Sequence, residues 1–122
     1  MPNPFVHMEL MTTDVKVAKK FFGELFDWKL EEARGADNIP YTMINVGNGA
    51  GGGIMANPIP KTGSLWVPHV EVDDVRAATE KAKALGGQVM KPVTEVKGMG
   101  EFSIILDPTG GMFGLWEAKA SP

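Results

Sequence analysis

The chain contains no cysteine, two histidines and one tyrosine among its 122 residues. Without cysteine there are no disulfides, thiolate zinc sites or cysteine nucleophiles. With both histidines assigned to other work, no Ser-His-Asp set can be assembled. Neither charge dominates: Lys and Arg total 12 against 15 Asp and Glu, for a net charge of −3 and a pI near 5.3. That balance gives no electrostatic reason to expect nucleic acid or a membrane surface as partner. The opening Met1-Pro2-Asn3-Pro4 lacks a basic segment followed by an apolar run, so no signal peptide is expected. No apolar run approaches the roughly 20 residues of a membrane helix, and cytoplasmic localisation is the default expectation. The Gly49–Gly53 stretch lacks both GxGxxG and a P-loop Lys-Ser/Thr, which argues against a phosphate cradle and for closely packed backbone.

What the chain does have is enough apolar material for a core, 43 % hydrophobic residues with 22 % charged, in a length suited to one compact domain. Fifteen glycines and nine prolines punctuate short elements, as in a strand-rich fold. Val6, Met8 and Leu10 alternate with His7, Glu9 and Met11, the period of a half-buried strand. Asp14 is placed to cap a helix with the apolar stripe Val15, Ala18, Phe22 and Leu25. Strands are expected over 28–33, 41–46 and 52–56, with a turn at 34–38.

The pattern then restarts. Trp66 to Val72 alternates, Asp74 caps a second helix, and its stripe Val75, Ala78, Ala82 and Leu85 repeats the first 60 residues on. Gly86-Gly87 supplies a left-handed exit. Strands over 88–93, 101–106 and 112–118 follow, the last two joined by the Asp107-Pro108-Thr109-Gly110 turn. The two histidines also repeat, 62 residues apart, each within a His-x-Glu strand. The expectation is one α+β domain, 1–122, made of two βαβββ modules (4–57 and 66–119) with a linker at 58–65. About 55 residues form a marginal core alone, so the two sheets are expected to join as a curved, barrel-like surface with helices outside.

On this alternation His7 and Glu9 face away from the helices, as do His69, Glu71 and Asp73. Phe113, Leu115 and Glu117 share a face of the last strand. His7, His69 and Glu117 are therefore the candidate metal ligands, converging from three strands. Two imidazoles and a carboxylate leave coordination positions open and suit Fe, Mn, Ni, Co or Zn. Glu9 and Glu71 are the candidates for orienting the imidazoles or for acting as catalytic base. Gly98-Met99-Gly100 reads either as a flap or as an ordinary turn. The methionines and Trp28, Trp66 and Phe113 read as core.

The repeat, the histidine positions, Val72-Asp73-Asp74-Val75, Gly86-Gly87, the Asp107–Gly110 turn and Gly114-Leu115-Trp116-Glu117 resemble the vicinal oxygen chelate superfamily. This is the glyoxalase, bleomycin resistance protein and extradiol dioxygenase group. The resemblance implies metal ligands on the first, fourth, fifth and eighth strands. His7, His69 and Glu117 match three of these, and Ala56 stands at the fourth. It implies a divalent-metal-dependent enzyme, of lyase, isomerase or dioxygenase type, acting on a small substrate with adjacent oxygens. The alternative it implies is a metal-free small-molecule binding protein of the bleomycin-resistance type. It also implies a homodimer.

Overall fold

The computed structural model describes residues 2–35, 38–59 and 61–119. The expected turn at 34–38 includes Ala36 and Asp37, and the expected linker includes Pro60, all three outside the described residues. The chain divides into two compact units, Val6–Val67 and Pro68–Pro122 with Met1–Phe5.

The first unit contains β1 (Phe5–Thr12), α1 (Val15–Leu25), β2 (Lys29–Arg34), β3 (Pro40–Asn45) and β4 (Gly51–Ala56). Its sheet runs in the order β2-β3-β4-β1, with β1 parallel to β4 and the other pairs antiparallel. Helix α1 starts where Asp14 accepts a hydrogen bond from the Val17 N–H at 3.1 Å. That bond satisfies one of the donors a helix start leaves open, an effect of about 1 kcal/mol. The helix packs Ala18, with Val15 and Phe22 behind it, on Leu10, Ile44 and Ile54. This face of the sheet is the core. The segment after β4 is held by Asn57, whose side chain bonds Thr62 Oγ1 at 2.7 Å and accepts from the Ile59 N–H at 2.9 Å.

The second unit repeats the plan. β5 (Leu65–Glu71) begins in the first unit and continues into it, followed by α2 (Val75–Ala84), β6 (Gln88–Val96), β7 (Gly100–Leu106) and β8 (Met112–Ala118). The order is β5-β8-β7-β6, with β5 parallel to β8. Asn3 and Pro4 join this unit by bonding the Glu71 backbone at 2.9 and 3.0 Å. Asp74 caps α2 through the Ala77 N–H at 3.0 Å. At the other end Gly86 takes φ 96°, and the Gly87 N–H bonds Ala82 O at 2.8 Å. The core is Val75, Ile105 and Leu115. Two buried hydroxyls between α2 and β7 satisfy each other, Thr79 and Ser103 at 2.8 Å, which removes the cost of burying either alone.

Strand β6 runs three residues beyond the expected end at 93. It does so through register shifts around Lys91 and Thr94, where Pro92 has no N–H to contribute. Gly98-Met99-Gly100 is the β6–β7 turn, closed by a 2.9 Å bond from the Met99 N–H to Val96 O. At the β7–β8 turn the Thr109 hydroxyl and N–H both donate to Asp107 Oδ1 at 2.6 Å, and the Gly111 N–H donates at 3.1 Å. These bonds, the hydroxyl first, hold the Asp107 carboxyl below the ordinary carboxylate range. No helix among the described residues is long and apolar enough to cross a membrane.

Candidate active site

In the first unit the face opposite α1 gathers His7, Glu9 and Tyr41. Paired positions of adjacent strands share a face, so the register sets the occupants. His7 pairs with Gly51, Glu9 with Gly53, and Gly53 in turn with Met43. Tyr41 shares that face two residues from Met43. The run Gly51-Gly52-Gly53 leaves β4 bare beside these side chains. His7 Nε2 and Tyr41 Oη lie 2.6 Å apart, with their rings stacked at 22° and centroids 6.3 Å apart. Glu9 Oε2 sits 3.8 Å from His7 Nε2. The Glu9 side chain is 13 % exposed, and its Oε2 is buried without a hydrogen-bond partner. Such an oxygen is costly to keep dry and is an acceptor in waiting. Burial pushes the Tyr41 phenol far above its ordinary range, with the Glu9 charge and a hydrogen bond to Glu9 adding to the shift, so Tyr41 is a neutral donor at any working pH. A groove of about 370 Å³ in the same unit is lined by Lys29, Glu31, Met43, Asn45 and Gly51 among others; His7, Glu9 and Tyr41 are not part of its lining. That volume suits a small molecule.

In the second unit His69 is 3 % exposed and stands directly over Gly114, its partner on β8, with Phe102 6.1 Å away. Glu71 pairs with Trp116 and so lies on the His69 side. Glu117 does not. It shares its face with Leu115, which packs in the α2 core, and with Glu101, which pairs with Arg76 of α2 at 2.7 Å. Its Oε1 accepts from the Val75 N–H at 2.9 Å. There it supplies negative charge to the positive end of the helix dipole. Ala56 likewise shares the face of Ile54, the core side of β4.

A family model described as "Glyoxalase/Bleomycin resistance protein/Dioxygenase superfamily" matches residues 5–115. The chain belongs to that superfamily. Over 119 residues it is 36 % identical to "Putative glyoxylase CFP32" of Mycobacterium tuberculosis (strain CDC 1551 / Oshkosh), with 92 % of this chain and 44 % of the relative covered. The chain thus spans less than half the length of that relative. The anthracycline biosynthesis protein DnrV of Streptomyces peucetius is 30 % identical over 53 residues, covering 43 % of this chain and 19 % of that protein. Among solved structures, a methylmalonyl-CoA epimerase from Mycobacterium tuberculosis superposes with a TM-score of 0.70 at 18 % identity, covering 95 % of this chain and 88 % of that one. The hypothetical protein BH1468 from Bacillus halodurans C-125 gives 0.68 at 18 % identity, covering 100 % and 99 %. At these identities the structures establish the superfamily's α+β fold of βαβββ modules.

Superfamily members commonly use divalent metals, and the donor set expected here is His7, His69 and Glu117. His69 and Glu117 lie on opposite faces of one sheet, so they cannot chelate a single ion together. On the His69 face β8 offers Met112, Gly114 and Trp116, none with an oxygen donor on its side chain. Among the described residues no group of three or more His, Asp or Glu is placed to hold a metal. The expected set of His7, His69 and Glu117 therefore does not form a two-histidine, one-carboxylate centre. Alternation had joined Phe113, Leu115 and Glu117 correctly but put them on the concave side; the packing of Leu115 on α2 reverses that. Tyr41 was missed. Its only signal was its position on an alternating strand facing a run of glycines.

Proposed function

We propose that the chain is a small-molecule enzyme of this superfamily whose working group is Glu9, the base that removes a proton from a carbon next to an oxygen. The observation that carries this is the Glu9 carboxylate itself: largely buried, one oxygen unpartnered, and beside His7 on the face opposite α1. A carboxylate oxygen that no protein donor engages is placed to accept the proton of a bound carbon acid. Glu117 supports the start of α2 beside its cap Asp74, by accepting from the Val75 N–H. His69 serves as packing over Gly114.

The test is exchange of carbon-bound hydrogen in D2O, followed by NMR, across small α-hydroxy ketones and dicarbonyl compounds with adjacent oxygens. Wild type should catalyse exchange, Glu9→Gln should lower it about a hundredfold, and dialysis against chelator should leave it unchanged. Chelator-sensitive exchange restored by one divalent metal would overturn the reading. The binding-protein alternative is separated by the same experiment: ligands that saturate the protein without any exchange would favour it.

We also propose that the chain pairs with a second copy of itself through α1. Val17, Phe21 and Leu25 recur every four residues and are 63 %, 57 % and 56 % exposed, a continuous apolar stripe along one helix. Sedimentation velocity should find twice the 13.1 kDa chain mass, and Phe21→Glu should return the monomer. A wild-type monomer at all concentrations rejects the pairing.

A further inference from the structure

We propose that Tyr41 completes the site as a hydrogen-bonded line, His7–Tyr41–Glu9, in which the phenol turns from Glu9 to the ligand oxygen as that oxygen gains charge. This rests on the reading of Glu9 as base and adds to it what happens at the oxygen. Three features bring these groups together. Tyr41 Oη is 2.6 Å from His7 Nε2. Glu9 Oε2 lies buried 3.8 Å from the same nitrogen. Gly53 is the only residue type that leaves Tyr41 its place, because a Cβ there would overlap the phenol oxygen and ring. With His7 in the Nε2–H tautomer, that nitrogen donates to Tyr41 Oη and leaves the phenol hydrogen to be shared between Glu9 and the ligand.

The step balances without a cofactor. Glu9 takes the proton from a carbon beside a carbonyl, the C–H electron pair forms the new C=C, and the carbonyl pair moves onto oxygen. Glu9 is now a neutral acid and attracts the phenol hydrogen less, while the new oxyanion attracts it more. The hydrogen bond therefore transfers as the charge does, which stabilises the transition state more than the bound substrate. Return of the proton from Glu9 to carbon, on either face or at the neighbouring atom, completes an isomerisation. The ligand class is an enolisable small carbonyl compound with a second oxygen nearby.

Tyr41→Phe and Gly53→Ala test this, read two ways. With dihydroxyacetone as probe in D2O, Tyr41→Phe should lower kcat for exchange about a hundredfold and move KM less than about threefold. Independently of turnover, the 15N resonance of His7 Nε2 should be of the protonated, pyrrole type and should shift in both variants. If Tyr41→Phe exchanges at the wild-type rate while Glu9→Gln does not, Tyr41 is overturned and the base stands. If Glu9→Gln is fully active, the base reading falls, and an unmoved His7 resonance in Tyr41→Phe then overturns the line as well. A pyridine-type Nε2 in wild type also overturns it.

Discussion

Gly52→Ala is expected to cost about 3 kcal/mol or more of folding stability, read as a lowered midpoint in urea unfolding. A Cβ on Gly52 would overlap the carbonyl oxygen and approach the carbonyl carbon of Met8, its partner in the parallel β1–β4 pairing. Both are backbone, and neither can turn aside as a side chain would. Relief requires the two strands to part, which breaks ladder hydrogen bonds and loosens Leu10 from Ile54 at the centre of the first core. The neighbouring Gly53→Ala gives the contrast. There the overlap is with the end of the Tyr41 side chain, which can swing away, so the stability loss should be the smaller of the two while the site is disrupted. A loss below about 1 kcal/mol for Gly52→Ala would mean that the strands approach less closely than this.

The local parts of this fold were legible because their causes are local. Asp14 and Asp74 mark the helix starts by bonding N–H groups three residues on. The stripes after them name the buried faces. In β1 the alternation placed Leu10 in the core and His7 and Glu9 opposite, as the structure has it. Where alternation fell short was in choosing a side. Period two tells which residues of β8 travel together but not which group meets the helix. That choice is made by Leu115 packing with Val75 and Ile105, contacts 40 and 10 residues away in sequence. Glu117 followed Leu115 to the helix side and accepts from the Val75 N–H at the start of α2. Tyr41 lay beyond reach for a similar reason. Its partner His7 is 34 residues distant, and the space it fills exists only because Gly53 has no side chain.

The two histidines were read as equivalent, and two glycines on the strands paired with theirs show where the symmetry ends. In the first unit Gly53 is covered by Tyr41, which His7 in turn contacts; in the second, His69 itself covers Gly114. Gly114→Ala is therefore expected to destabilise by about 2–3 kcal/mol, since its Cβ would lie 2.5 Å from His69 Nε2 and 2.7 Å from Cγ. His69 is 3 % exposed and has little room to retreat. The decisive measurement is a double-mutant cycle in urea. His69→Ala alone should leave a cavity and cost a comparable amount. The pair Gly114→Ala with His69→Ala should cost clearly less than the sum, by about 1 kcal/mol or more, because the first overlap vanishes with the ring. Additive losses would mean the ring does not rest on Gly114. A coupling of the expected sign shows that the His69 ring of β5 fills the space that Gly114 leaves open on β8.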